Sequence, residues 1–286
     1  MENQNTPPRV AAIHDLSGFG KCSLTVALPI LSAAGIETSA LPTAILSTHT
    51  GGIEGYTYLD TTSEMQPFMR HWQSLDIRFD AIYSGFLGSF EQLEIVKEFF
   101  ELFRQKDNLI LVDPVMADNG ELYKIFTPEF ARGMNKVCEK ADVIVPNITE
   151  AALLLGETYR PGPYSETYID DLLKALSELG PKQIVLTGVY FTDTELGAAS
   201  YDRTSGQTTC TLAPRVPGYY HGTGDVFAST LLAGLMNGFE LGHSAGIAVR
   251  YTAAGIRRTC EAGSDVRFGV NFEQGIPDLL KELHLY

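Results

Sequence analysis

The sequence is short of the residues that mark several common kinds of protein. Its 286 residues include four cysteines, Cys22, Cys138, Cys210 and Cys260, and no CxxC pair. Neither a structural zinc site nor a redox motif is indicated, and the usage fits a reduced compartment. No HxH or HxxxH spacing occurs among its six histidines, which argues further against zinc. A GxSxG elbow is also missing, so a hydrolase of that type has no support. No apolar run approaches the roughly 18 residues of a membrane span. The opening MENQNTPPRV holds no apolar leader core, and a cytoplasmic location is expected. Positive charge is scarce, with 21 Lys plus Arg against 35 Asp plus Glu, a formal −14. That balance argues against nucleic acid and anionic membranes as partners. It leaves room for a small phosphate-bearing ligand, because backbone N–H groups and a metal can hold phosphate inside an acidic protein.

What is present reads as one α/β domain over 1–286. Hydrophobic residues make up 44% and charged residues 20%, a globular composition. Short apolar runs at 10–13, 38–46, 80–83, 109–112, 143–145 and 184–186 read as strands. Between and after them, helical spacing appears at 24–34, 90–104, 128–139, 149–155 and 168–179. Thr149 is the expected N-cap of its helix. Two polar, β-prone runs within 196–212 read as an antiparallel hairpin. Two long helices, 224–237 and 242–260, are expected to close the chain. Strands alternating with helices predict a mostly parallel sheet covered on both faces. His14, Asp15, Asp113, Asn147 and Thr187 fall where strands end, so they are expected to share one edge of the sheet.

The sharpest motif is His221-Gly222-Thr223-Gly224-Asp225, directly before an apolar helix. Two glycines at a helix start let the backbone approach an anion, and the first-turn N–H groups favour phosphate. An Asp at that place is equally a helix cap. The stretch 15–21, DLSGFGK, is not a P-loop: Asp15 stands where the first glycine belongs, and Cys22 follows the lysine. It reads either as a flexible turn or as a substrate loop. Asn147 and Glu150 open a helix, where a carboxylate is favoured in any case. As a pair they also suit a hydrated Mg²⁺. Asp113 and Asp118 are turn formers or charges near a metal.

Taken together, these segments resemble the ribokinase superfamily and, within it, the pyridoxal kinase branch. The superfamily's late Gly-x-Gly-Asp is matched by 222–225. The vitamin kinases are similar at STHTG (47–51), SGFLGS (84–89), DPVM (113–116) and PNITE (146–150). The resemblance implies a ribokinase-like three-layer α/β/α sandwich with a small β-hairpin flap. The implied reaction is ATP-dependent phosphorylation of the 5′-hydroxymethyl of pyridoxal, pyridoxamine or pyridoxine, with Mg²⁺ and a monovalent cation, K⁺, and in a homodimer. Asp225 then resembles the catalytic base, and Gly222, Thr223 and Gly224 the anion hole. Asn147, Thr187, Asp113 and Asp118 match ATP and phosphate contacts, while Glu150 and Asp113 match the metal site, partly through water. Asp15, Ser17, Ser47, His49 and Phe86 match substrate contacts. The 15–18 segment is closer to the Asp-x-Ser-Gly of hydroxymethylpyrimidine kinases, which keeps that activity as the alternative. A non-catalytic vitamin-binding protein is a more distant one. Some bacterial vitamin kinases carry Cys in place of the catalytic Asp; this chain has Asp225.

Overall fold

A computed structural model describes residues 6–286. Its strands are β1 Arg9–Phe19, β2 Glu37–Thr48, β3 Tyr58–Asp60, β4 Ala81–Ser84, β5 Leu109–Val112 and β6 Ala117–Asp118. They continue as β7 Glu121–Leu122, β8 Val143–Ile144, β9 Gln183–Val189, β10 Glu195–Asp202 and β11 Gln207–Pro214. The helices are α1 Leu24–Ala33, α2 Thr62–Ser74, α3 Phe90–Phe103, α4 Pro128–Cys138 and α5 Ile148–Leu155. The remaining ones are α6 Glu166–Ser177, α7 Thr223–Met236, α8 Leu241–Glu261 and α9 Ile276–Glu282.

Nine strands form one sheet in the order β11-β10-β9-β8-β5-β4-β1-β2-β3. The six from β9 to β2 run parallel, and antiparallel strands close both edges. All four residues of β4 are buried, as a strand covered on both faces requires. One face packs on α2 to α6 through Met65, Phe99, Phe130, Leu154 and Leu173. The other packs on α1, α7, α8 and α9 through Ile30, Leu231, Ile247 and Leu279. From β1 the chain builds outward to β2 and β3, then returns to β4 and builds the other way. The reversal between β1 and β4 opens a crevice at the carboxyl ends of the strands, where ligands of such sheets bind.

Several boundaries differ from the sequence reading. β1 does not stop before His14 but runs on to Phe19, with a register shift against β2 between His14 and Leu16. The hairpin at 196–212 forms, and it extends the main sheet at its β9 edge. The cap of α5 is Asn147, not Thr149. Asn147 Oδ1 accepts from Glu150 N–H at 2.9 Å, and Glu150 Oε2 accepts from Asn147 N–H at 2.9 Å. Carboxamide and carboxylate thereby satisfy two helix-end donors reciprocally. A short helix, α9, follows the two long ones at the end of the chain.

Candidate active site

A cavity of about 480 Å³ lies along the carboxyl edge of the sheet. One end is walled by Asp15, Leu46, His49 and Phe86, from β1, β2 and the loops after β2 and β4. The other is walled by Thr187 and Leu196 of β9 and β10, and by Val249, Ala253 and Ile256 of α8. The start of α7 also lines the cavity, with the His221 ring before it 5.0 Å from that of His49.

Gly222 is the N-cap of α7 with φ 71°. A Cβ there would lie 2.0 Å from Lys21 O, so the backbone conformation and the close approach both demand glycine. Having no side chain, Gly222 leaves the helix end uncapped. The first bond at that end is Val226 N–H to Gly222 O, 3.1 Å. The N–H groups of Thr223, Gly224 and Asp225 precede it and belong to the orphan donors of a helix start, available to an anion. Space beside Gly224 is open.

Asp225 faces the cavity and is enclosed by protein behind. Burial pushes its carboxyl up to about 7, against the pull of the Ser23 N–H and with added repulsion from Asp15. Ser23 thus joins two acids. Its hydroxyl donates to Asp15 Oδ1 at 2.5 Å, and its backbone sits at φ 54°, a strained value for a residue with a Cβ. Burial also raises Asp15, offset by the Ser23 and Ser17 hydroxyls.

The third group is acidic as well. Glu150 Oε1 accepts from Met116 N–H at 3.0 Å and Ala117 N–H at 3.5 Å, while Asn147 Nδ2 donates to Ala117 O at 2.8 Å. Burial pushes the Glu150 carboxyl up despite those donors. Asp113 is raised by burial and by the charges of Glu150 and Asp225. Asp118, the last residue of β6, accepts from Asn119 N–H at 2.8 Å and lines the cavity beside Tyr219. Thr187 N–H donates to Pro146 O at 2.9 Å, which sets β9 against the Asn147 cap.

Asp15, His49, Phe86, Asp113, Asp118, Asn147, Glu150, Thr187 and 222–225 therefore all line one cavity. Ser17 and Ser47 do not. The Ser17 hydroxyl donates to Asp15 Oδ2 at 3.1 Å, and Ser47, exposed near the end of β2, accepts at Oγ from Thr57 N–H at 2.9 Å. His49 reaches the cavity with both ring nitrogens engaged. Nδ1 accepts from Gly51 N–H and Nε2 pairs with Arg267 O, so the ring presents a face rather than a donor. His14, at a predicted strand end, is wholly buried and held neutral by burial. The sequence reading missed Cys22, Ser23, Tyr123, Arg215, Tyr219 and His221, which also line the cavity. Only His221 had a signal, its place beside the glycine motif.

Among the described residues no three His, Cys, Asp or Glu side chains cluster closely enough to hold an ion alone. The donors fit an ion shared with a polyphosphate. The Glu150 oxygens are already taken by N–H groups, whereas the Asp113 carboxyl, raised by burial and then by the charges of Glu150 and Asp225, would be relieved by a cation. A cation that retains water and takes few protein ligands suits such a pair.

A family model for phosphomethylpyrimidine kinase matches residues 28–269. A Bacteroides thetaiotaomicron VPI-5482 protein assigned to the phosphomethylpyrimidine kinases is 39% identical and superposes with a TM-score of 0.92 over 96% of each chain, in a crystal form with pyridoxal. Pyridoxal kinase from Lactobacillus plantarum is 31% identical, with a TM-score of 0.88 over 96% of this chain and 98% of that one. Pyridoxal kinase from Dictyostelium discoideum is 28% identical over 244 residues, 79% of this chain and 77% of its own.

Proposed function

We propose, for a chain that belongs to the phosphomethylpyrimidine kinase family and so is a kinase acting on a hydroxyl group, that it phosphorylates the 5′-hydroxymethyl of pyridoxal, pyridoxamine or pyridoxine with ATP. One observation carries the reading: a raised carboxyl, Asp225, shares a helix turn with the uncapped N–H groups of 222–224 inside a cavity with two distinct ends. The apolar end, between α8 and β9–β10, suits the base of a nucleotide. The end at Asp15, His49 and Phe86 suits the ring of the acceptor, and the crystal form of the 39% identical relative with pyridoxal supports a ring of that kind as the acceptor.

In this reading the acceptor oxygen attacks the γ-phosphorus, the bond to the β–γ bridging oxygen breaks, and the hydroxyl proton passes to Asp225. A carboxyl near pH 7 is well matched to that transfer. The N–H groups of Gly222, Thr223 and Gly224 meet the charge on the equatorial oxygens, where fixed donors are most effective. Asp113, with Glu150 through water, would hold a divalent cation, which supplies positive charge to the polyphosphate. Asn147 and Thr187 fix the floor beneath the phosphates, and Asp118 lies beside them. Phe86 walls the ring, and closing the site against water limits wasteful hydrolysis.

Hydroxymethylpyrimidine, free or phosphorylated, is the second acceptor to weigh. The family model and the Asp15-Leu16-Ser17-Gly18 segment favour it, with Ser17 bound to Asp15 at the acceptor end. We further propose one kinase domain and a homodimer, supported by the cross-strand pair Ile45 and Leu59, 40% and 61% exposed at the β3 edge. Sedimentation as a monomer would overturn the dimer. No helix among the described residues is long and apolar enough to cross a membrane.

The test is ADP release with Mg-ATP, with and without K⁺, comparing the three B6 vitamers with hydroxymethylpyrimidine. Turnover of the vitamers, lost in Asp225→Ala with ATP binding retained, supports the reading. Turnover of the pyrimidine alone moves the function to the second acceptor.

A further inference from the structure

Gln92 lies in the first turn of α3 and is fully buried, an unfavourable place for an amide without partners. It has three. Its Oε1 accepts from Gly88 N–H at 2.7 Å. Its Nε2 donates to Thr43 O and to Thr62 Oγ1, both at 2.8 Å. One side chain thus joins β2, the start of α2 and the loop after β4. Thr43 completes a ring of bonds, its hydroxyl donating to Phe86 O at 3.1 Å. The loop that carries Phe86 is therefore held at two points, Gly88 directly and Phe86 through Thr43. Its outer side rests near Tyr58, whose hydroxyl would lie 2.8 Å from a Cβ on Gly88. Phe86 lines the cavity, but Gln92, Thr43 and Thr62 do not.

We propose that Gln92 is a positioning residue for the acceptor: it fixes the Phe86 wall against β2 and so sets the slot in which the acceptor ring lies. The proposal rests on the functional reading above, which assigns this end of the cavity to the acceptor. Without the amide, the half-buried Gly88 N–H would lose its partner and Thr43 O would keep only the Thr61 N–H at 3.3 Å, so the loop would be freed to shift towards water. The nucleotide end, built from β9, β10 and α8, shares no residue with this cluster. Acceptor binding and nucleotide binding therefore separate.

Gln92→Met keeps a side chain of similar length and removes every polar atom. The expected result is an acceptor KM raised about tenfold, equivalent to roughly 1.4 kcal/mol, with the ATP KM unchanged. Thr43→Val, which removes only the hydroxyl held by Phe86 O, should move the acceptor KM the same way and less. Hydrogen exchange supplies a readout free of turnover: the Gly88 amide should exchange faster in Gln92→Met while the start of α7 keeps its rate. An unchanged acceptor KM overturns the proposal, as does a parallel rise in both KM values, which would mark general loosening. If the parent protein turns over none of the acceptors, the functional reading fails instead. The Gly88 exchange rate then decides, and an unchanged rate in Gln92→Met overturns the role of Gln92.

Discussion

The burial that brings the Asp225 carboxyl up to about 7 costs folding free energy whenever the group ionises. An unfolded Asp titrates near about 3.9, so the folded chain holds this proton more tightly. Stability contributed by the neutral acid is complete below about pH 4 and is lost as pH rises towards 7. Asp225→Asn should accordingly match the parent in Tm at pH 4 and exceed it at pH 8. The gap expected there is about 2–4 °C for each kcal/mol relieved. The same variant should lose about 10²–10⁴-fold in kcat. Thermal melts at the two pH values check the first statement; equal Tm at pH 8 would contradict it. For the parent enzyme, kcat/KM should fall with a one-proton slope below about pH 7 as Asp225 protonates. A flat profile from pH 8 down to pH 5 would remove Asp225 as the base. The glycines and acids of this site were legible because their spacing is unusual. Ser17 and Ser47 stand outside the cavity lining, which the sequence could not show, because a hydroxyl has the same one-letter appearance whether it faces a ligand or a neighbouring Asp15 or Thr57.

At the scale of elements, the start of α7 depends on one backbone conformation. Gly222→Ala would place a methyl group 2.0 Å from Lys21 O at a φ of 71°. Either the turn moves or α7 shifts, and both misalign the N–H groups of 223 and 224. Losing such a donor costs about 10²–10³ in kcat. Gly224→Ala meets open space and should cost far less, so a kinetic comparison of the two variants isolates the backbone. Most helices and strands were legible because β4, β5 and α3 are apolar runs with the right periodicity. α2 was not. It carries Pro67 inside and buries only Met65 and Met69, so it reads as a broken polar stretch. β1 was cut short because the polar pair His14-Asp15 resembles a strand end. The strand in fact continues, and it buries both residues in the protein.

Across the whole molecule, the position of the site follows from topology. The reversal between β1 and β4 gathers residues from the 15, 86, 113, 147 and 187 regions along one edge. That much was readable from strands ending in polar residues. The apolar half of the cavity was not, since Val249, Ala253 and Ile256 look the same on a helix whether they face a core or a ligand. A chain of net charge −14 with Asp15, Asp113, Asp118, Glu150 and Asp225 around one cavity should accept a polyphosphate only together with a cation. ATP and Mg²⁺ added together should therefore raise Tm by more than the sum of their separate effects. Additive shifts would contradict that coupling. The chemistry of the site turns on transfer of a phosphoryl group to a ring hydroxymethyl with Asp225 as base. It is tested most directly by phosphorus NMR of pyridoxal incubated with Mg-ATP and the enzyme. A new phosphate monoester coupled to methylene protons is expected with the parent enzyme, formed about 10²–10⁴-fold more slowly by Asp225→Asn. Monoester formation at the parent rate by Asp225→Asn, or none on any vitamer by the parent, would contradict it.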